Sequence, residues 1–518
     1  MLMYEKYTGR HRDEYKSYED ITKNFKITYP DNFNFAYDVL DELAKTKPDE
    51  LCMLWISNAS EGEYEKRISF SEMAKWSNKA ANYFKSLGIK KGDFVMLVLK
   101  RSYLFWYCMM GLHKIGAVAV QAAHLLTKDD YVYRCNAGGI KMAVITGENN
   151  CAEAFEAGAA EYKTVELKAV TRHKKLGGGW LDFEEGLDAA SEVWERPSGE
   201  AATRAEDMMI MSFSSGTTGY PKMVSHDFTY PLGHIATAIL WHRVEPGGLH
   251  FSISDTGWLK SLWGKMYGQW LGECAVLTYD YEGGNEIVRF PAKKMLQIMS
   301  KTGVTSFCAP PTMYRMMMGE DAALFGALPK LKHACAAGEA LSQDLFEKWK
   351  SLTGLEIYEG FGQTETTLCC AVLYPFSAPR PGAMGLNVPG YSLELLDNEN
   401  KPVPAGATGE ICIKTTSPGD RPVGVYMGYY KNEESTKSAW HDGYYHTGDL
   451  AYKDEEDYIW FVGRNDDIIK SSGYRIGPFE VESVMVKHPA VFEVAVTGVP
   501  DAVRGFNVKA TVVTKPGY

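Results

Sequence analysis

The sequence lacks the features that would place it in several large functional classes. Its ten cysteines are scattered over 518 residues with no C-x-x-C pair, so neither a disulfide framework nor a zinc motif is expected. Adjacent Cys369 and Cys370 suit neither arrangement. The cysteines read as small buried hydrophobes in a reducing compartment. The twelve histidines show no H-E-x-x-H or H-x-x-x-H spacing, which excludes a metalloprotease-type zinc site. Positive charge is in deficit, with a net charge of −11. That balance argues against broad nucleic-acid or anionic-membrane binding, so any phosphate must be held by local dipoles and a few placed cations. Long apolar runs are missing too. The most apolar window, Ser102–Leu112, is too short to span a bilayer and is bounded by Lys and Arg. The opening stretch, MLMYEKYTGRHRDEYK, has no apolar core of signal-peptide length. A cytoplasmic protein without a membrane span is expected.

What is present is α/β patterning on a scale of several folding units. Ser69 and Glu72 form an S-x-x-E capping box ahead of a stripe of Met73, Trp76, Ala80, Tyr83, Phe84 and Leu87, and Gly88 ends that helix. Short apolar runs at Phe94–Leu99, Gly116–Val120, Met142–Thr146, Met208–Ser212, Cys274–Asp280, Val304–Pro310, His333–Glu339 and Leu355–Glu365 alternate with helical stretches, which predicts parallel sheet. Lys174–Pro197, Gly-rich and charged, reads as a loop or small excursion. After about Pro389 the pattern turns β-rich. From Asp466 a small α/β unit follows, with a helix from Pro478 to Lys487 and strands at Val491–Val499 and Val508–Val513. The expected organisation is a large domain over 1–465, with a β-rich part over about 390–465, and a small mobile C-terminal α+β domain over 466–518. That last unit has only about 52 residues and is marginal alone, so it is expected to be incomplete.

The chemistry concentrates in FSSGTTGYPKMV, which follows an apolar strand. A Walker A loop needs lysine directly after its second glycine. Here Lys222 follows Gly219, Tyr220 and Pro221, so a P-loop NTPase is not expected. The residue types still suit phosphate. Glycines let backbone N–H groups turn toward an anion, hydroxyls add donors, and Lys222 adds a point charge. The strand end is where α/β sheets bind ligands.

This segment resembles the phosphate loop of the adenylate-forming acyl-CoA synthetase superfamily. Further segments resemble that family's motifs in the same order: AAGEA (Ala336–Ala340), YEGFGQTET (Tyr358–Thr366), YYHTGDLA (Tyr444–Ala451) and GRNDDIIKSSGYRIGPFEVE (Gly463–Glu482). Met223, where most relatives have glycine, and SDTGW (Ser254–Trp258) resemble the medium-chain branch, which handles medium-chain, short branched or aromatic acids. The resemblance implies a two-step reaction. A carboxylate attacks the α-phosphate of ATP to give acyl-AMP and pyrophosphate, and the thiol of coenzyme A then displaces AMP.

It also implies roles for particular residues. Ser214, Ser215, Gly216, Thr217, Thr218, Gly219 and Lys222 would hold the β- and γ-phosphates. Thr364 would bond the α-phosphate and Glu365 would hold Mg²⁺. Asp449 would accept the ribose hydroxyls, Arg464 would contact ribose or phosphate, and Arg475 phosphate. Gly338, Glu339, Tyr358, Glu359, Gly360, Phe361, Gly362 and Gln363 would form the adenine-side wall. Trp258, beside Gly338, is the acyl-pocket candidate, with a core tryptophan as its other reading. His226 either orients substrate or is structural. Asp466 would be the hinge about which the small domain rotates, and Ser472, Gly473, Tyr474 and Arg504 would bind coenzyme A. Lys222, Thr364, Glu365 and Arg475 are the catalytic candidates. One departure stands out: nothing after Arg475 resembles the family's P-K-T-x-S-G-K-like segment with its adenylation lysine. Two alternatives stay open, an adenylating enzyme that loads a carrier-protein thiol and a non-catalytic nucleotide-binding relative. A homo-oligomer is a further possibility.

Overall fold

A computed structural model describes the chain apart from residues 59–63, 173, 215–219, 282–289, 416, 466, 468, 472–473, 487, 502–503, 516 and 518, and describes the backbone alone at 470, 474, 475, 480, 483 and 505. Two large sheets carry the bulk of the chain. The first has eight strands in the order Gly428–Tyr429, Lys222–Asp227, Met208–Ser214, Val118–Gln121, Phe94–Val98, Ile140–Thr146, Leu167–Thr171 and Leu181–Asp182. Its centre is parallel, as the buried apolar runs require, because both faces are covered.

The second sheet changes character along its width. Leu51–Ser57, Ala275–Asp280, Leu249–Ser252, Ser306–Ala309, His333–Ala336 and Ile357–Gly362 run parallel. From Ile357–Gly362 onward the neighbours are antiparallel: Leu368–Ala371, Ala383–Asn387, Ile459–Arg464, Tyr444–Lys453, Gly409–Lys414 and Leu393–Leu396. These antiparallel strands begin at Leu368, earlier than the β-rich part expected over about 390–465. The strand Ile357–Gly362 therefore joins the two halves, and the residues just beyond its carboxyl end sit where a crevice must open.

Helices fill the space between and around the sheets. Phe70–Ser86 begins at Ser69 with the expected capping box to Glu72. It packs on Leu104–Ile115, all twelve residues of which are buried. The most apolar window is thus a core helix. The two helices meet at Gly111, where a Cβ would lie 2.6 Å from that of Ala80. Among the described residues no helix is long and apolar enough to cross a membrane.

Of the two readings of Lys174–Pro197 the small excursion holds, since the segment contains the strand Leu181–Asp182 and the helix Phe183–Ala189. Asp182 caps that helix through the Glu185 amide, and Phe183 packs on Tyr83 and Phe84. The helix is too short for periodicity to reveal it. The next strand after Met208–Ser214 is its antiparallel neighbour Lys222–Asp227, with Ser214 paired to Lys222.

The last unit is a four-stranded antiparallel sheet, in the order Tyr474–Ile476, Ile469–Ser471, Gly505–Thr514 and Val491–Asp501, with the helix Pro478–Met485. Phe479 of that helix meets Phe461 edge-on at 5.7 Å between ring centroids.

Candidate active site

The carboxyl end of Ile357–Gly362 carries Gln363, Thr364 and Glu365, and each is fixed by a different element. Gln363 reaches into the antiparallel sheet. Its Nε2 donates to the Thr447 carbonyl at 2.9 Å and to Asp449 Oδ2, and its Oε1 accepts from the Tyr445 hydroxyl at 2.8 Å. All three partners lie on the strand Tyr444–Lys453, which carries the TGD segment. Asp449 and Arg464 face each other in register across neighbouring strands. Arg464 Nη1 donates to Asp449 Oδ1 at 3.3 Å and to the Thr447 carbonyl at 3.3 Å. Burial raises the Asp449 pKa to about 6, against the opposing pull of Arg464 and Gln363. A 4% exposed carboxylate with two bound donors keeps lone pairs for two more, which is the capacity needed to face a pair of hydroxyls.

Thr364 is held by its carbonyl, 2.7 Å from His226 Nε2. A carbonyl only accepts, so that nitrogen carries the proton. Burial holds the His226 pKa down at about 3, and its ring sits against Tyr230 at 4.0 Å. His226 is therefore a neutral imidazole that positions Thr364 from the neighbouring strand of the other large sheet. Glu365 Oε1 accepts from the Tyr429 hydroxyl at 3.0 Å, and its backbone carbonyl accepts from the Tyr426 amide at 2.8 Å. Burial raises the Glu365 pKa, and the charges of Lys222 and Arg464 oppose that rise. Lys222 Nζ lies 4.8 Å from the centre of the Tyr429 ring. Both sheets thus contribute to one cluster, with Lys222 and His226 from the first and Thr364, Glu365, Asp449 and Arg464 from the second.

Other expected positions are more scattered. Ser214 ends its strand opposite Lys222, while Ser215, Gly216, Thr217, Thr218 and Gly219 lie outside the described residues, as do the hinge candidate Asp466 and the coenzyme A candidates Ser472 and Gly473. Tyr474 and Arg475 are in a strand of the small sheet with only their backbone described. Arg504 is exposed, and its amide donates to Asp501 Oδ1 at 2.8 Å.

The block Tyr358–Gln363 does not act as one wall. Successive strand residues face opposite sides, and the structure separates them accordingly. The Tyr358 ring packs on His333 at 4.4 Å and on Tyr374 at 6.0 Å, near the beginning of the strand and about 16 Å from Gln363 at the usual strand rise. Gly360 leaves room for Trp241, whose Cε2 lies 2.7 Å from a Cβ there, and Gly362 for Trp263 at 2.5 Å. Phe361 lies half-buried 6.5 Å from Phe461. Glu359 is a buried brace. Its Oε1 accepts from the Leu341 amide at 3.0 Å and its Oε2 from the Gly382 amide at 2.8 Å. It thereby fastens the segment after Gly338 and Glu339, where Glu339 itself accepts from the Thr312 hydroxyl at 2.6 Å.

Burial raises the Glu359 pKa to about 8. The folded state then binds a proton that the unfolded state has already released. The stability this contributes is full below pH 4.5 and is lost as pH rises toward 8, at about 1.4 kcal/mol per pH unit. Thermal melting between pH 5 and 8 should show this decline, and Glu359→Gln should flatten it. An unchanged slope would contradict the assignment.

Trp258 is 60% exposed, which removes the core reading. The segment that carries it is pinned from beneath. Arg101 Nη1 donates to Asp255 Oδ2 at 2.9 Å, the Gly257 amide to Asp255 Oδ1 at 3.0 Å, and Lys265 Nζ to the Ser254 carbonyl at 2.7 Å. Two residues beyond Trp258, Lys260 Nζ donates to the Ala337 carbonyl at 2.8 Å. Trp258 and Gly338 thus belong to adjacent segments. Gly338 has φ +101°, which side chains rarely adopt, and a Cβ there would lie 3.7 Å from Lys260 Nζ.

Sequence reasoning passed over Tyr429, Tyr445 and Thr447. Tyr445 and Thr447 lie within a motif that was read only for its aspartate. No local signal marks Tyr429, which comes to Glu365 through the pairing of Gly428–Tyr429 with Lys222–Asp227 and the bond from the Tyr426 amide to the Glu365 carbonyl.

Comparison with known proteins gives a consistent result. The AMP-binding enzyme family matches residues 40–430, and the C-terminal domain of AMP-binding enzymes matches residues 480–518. Acyl-coenzyme A synthetase ACSM3 of Homo sapiens, a mitochondrial protein, is 36% identical over 511 residues, which cover 97% of this chain and 84% of that one. Acyl-coenzyme A synthetase ACSM5 of Rattus norvegicus, also mitochondrial, is 36% identical over 501 residues, covering 95% and 83%. Among solved structures, a Brucella canis acyl-CoA synthetase superimposes with a TM-score of 0.77 at 26% identity, covering 97% of this chain and 90% of that one. The anthranilate CoA ligase AuaEII in complex with anthranoyl-AMP superimposes with a TM-score of 0.80 at 26% identity, covering 94% and 88%.

Proposed function

The chain belongs to the family of AMP-binding enzymes, and from that premise we propose that it is an AMP-forming acyl-CoA synthetase that activates a medium-chain, short branched or aromatic carboxylic acid with ATP and passes the acyl group to coenzyme A. The observation that carries this reading is the convergence of Asp449, Arg464, Gln363, Thr364, Glu365 and Lys222 from two sheets at one strand end.

Each group has a task that its surroundings suit. Asp449 accepts the ribose hydroxyls, its remaining side being held by Gln363 and Arg464. Thr364, its backbone fixed by His226, offers its hydroxyl to the α-phosphate, where negative charge builds as the acid attacks. Lys222, with the turn that precedes it, holds the β- and γ-phosphates and so favours departure of pyrophosphate. Glu365 is the residue for Mg²⁺. A single oxygen donor of this kind fits that ion, which commonly takes one or two carboxylates and completes its shell with water and substrate phosphates. Bound there, the ion would neutralise charge on the phosphates. Arg475 is assigned to phosphate and Arg504, with residues 472–474, to coenzyme A after rotation about Asp466. The ten cysteines are free and buried, which suits a reducing compartment, the cytoplasm in this reading.

Trp258 bounds the acyl pocket beside Gly338. An indole there shortens the pocket, so Trp258→Ala should shift preference toward longer acids by about tenfold in relative kcat/KM, since each additional buried methylene contributes about 0.8 kcal/mol. An unchanged acid profile would remove Trp258 from the pocket. The reaction itself is tested with the full-length protein, ATP, Mg²⁺, coenzyme A and a panel of four- to ten-carbon and aromatic acids. Acid-dependent pyrophosphate release with acyl-CoA formation is expected. Release with no acid in the panel would overturn the reading. Transfer to a phosphopantetheinylated carrier protein in preference to coenzyme A would make the acceptor a carrier thiol.

A further inference from the structure

The β-rich strands bring a second set of chemistry-bearing side chains together, on the strand that carries Asp449 and its neighbour Gly409–Lys414. Cys412, His446 and Glu410 place one sulfur, one imidazole nitrogen and one carboxylate oxygen within 4.8 Å of one another. Cys412 and His446 are paired in register across the strands Gly409–Lys414 and Tyr444–Lys453. The Cys412 sulfur lies 3.4 Å from His446 Nδ1, which lies 3.2 Å from Glu410 Oε2. Ligands around a tetrahedral zinc ion with bonds of about 2.0–2.3 Å are about 3.3–3.8 Å apart, so the sulfur–nitrogen separation matches an edge of such a site and the nitrogen–oxygen one is slightly shorter.

Three observations favour a cation over a plain hydrogen-bonded cluster. The Cys412 sulfur is fully buried and its hydrogen-bond contact is His446 Nδ1. The His446 side chain is only 8% exposed, and its ring is held flat against that of His441 at 3.7 Å, which keeps Nδ1 toward the sulfur and the carboxylate. Glu410 is fixed as a ligand is usually fixed: the Gly448 amide donates to its Oε1 at 2.8 Å, leaving Oε2 toward the other two groups. A second carboxylate stands next in the sheet, for Glu394 is paired in register with Cys412.

We infer that Cys412, His446 and Glu410 form a binding site for a thiophilic divalent cation of the Zn²⁺ class, separate from the site at Glu365. The donor set decides the class. Sulfur and imidazole select zinc-like ions, whereas the all-oxygen preference of Mg²⁺ excludes it. Binding exchanges a proton for the ion: the Cys412 S–H bond breaks, a sulfur–metal bond forms, and the proton leaves to solvent. The Glu410 bond to Gly448 connects the site to the residue next to Asp449 on the strand Tyr444–Lys453. An occupied site therefore braces the Asp449–Arg464 pair from behind.

The experiment is a titration of the metal-free full chain with Zn²⁺ at about pH 7.5, followed by calorimetry in two buffers of different ionisation heat. One equivalent bound at micromolar affinity or tighter, with about one proton released and no competition from excess Mg²⁺, is expected. Cys412→Ser and His446→Gln should each weaken binding at least tenfold with circular dichroism unchanged. On the unsubstituted chain, Co²⁺ should give a thiolate-to-cobalt charge-transfer band. Binding only at millimolar Zn²⁺, the same affinity in both variants, or no cobalt–thiolate band would overturn the inference.

Discussion

Asp449→Asn should lower acyl-adenylate formation by at least about a hundredfold and yet melt no lower than the unsubstituted protein at pH 8. The loss of activity follows from the ribose anchor. Hydrogen bonds to a charged acceptor contribute about 1.5–3 kcal/mol each, and two of them exceed the roughly 2.7 kcal/mol that a hundredfold rate represents. The thermal result follows from the sign of the pKa shift. Burial raises the Asp449 pKa to about 6, so its favourable contribution to folding is present below the ordinary carboxylate pKa and is lost as pH rises through 6. At pH 8 the folded protein holds an ionised carboxylate that is 4% exposed, and the neutral amide relieves that cost. Arg464, whose side chain is 37% exposed, can turn to water when its partner loses charge. Pyrophosphate release and thermal melts on the same preparation check both halves. Retained activity would contradict the ribose assignment, and a markedly lower melting temperature would contradict the stated cost of burying the charge.

Lys222→Ala should slow the first half-reaction by about a hundredfold and raise the KM for ATP, while an acyl-AMP mimic binds within about threefold of its affinity for the unsubstituted protein. Lys222 is the cation at the end of the glycine and hydroxyl turn, and its Nζ sits 4.8 Å from the Tyr429 ring, whose hydroxyl holds Glu365. In the proposed reading its charge acts on the outer phosphates, which AMP lacks. A point charge in a partly desolvated cleft contributes most where the transition state accumulates negative charge, so the effect belongs to ATP and to pyrophosphate departure. Equal losses for ATP and the acyl-AMP mimic would make Lys222 a scaffold residue.

The contrast between these two residues also shows what was legible in the sequence. The helix Phe70–Ser86 was readable to its cap because Ser69, Glu72 and a clean apolar stripe are local signals. The apolar runs predicted the parallel strands for the same reason. What brings Lys222 to Glu365, however, is the pairing of Gly428–Tyr429 with Lys222–Asp227 across about two hundred residues, and no local pattern encodes that. Motif reading found the TGD and QTE segments yet treated Tyr358–Gln363 as one surface. The period of two in a strand divides it: Glu359 and Gln363 reach the antiparallel sheet, while Gly360 makes room for Trp241 and Tyr358 turns to His333. Glu359 is the instructive case, since an acid in a nucleotide-binding motif invites a ligand role and its two oxygens are already taken by backbone amides. Trp258 could not be placed from its identity alone, because large indoles are both core and pocket residues. Its exposure decides against the core.

The most direct test of the central claim is a crystal structure of the full chain with a non-hydrolysable acyl-adenylate bound. The account predicts ribose hydroxyls on Asp449, the phosphate-mimicking group at Thr364 within reach of Lys222 or Arg464, and the acyl chain ending beside Trp258 and Gly338. A ligand seated elsewhere, or bound with Asp449 and Thr364 both free of it, would contradict the account.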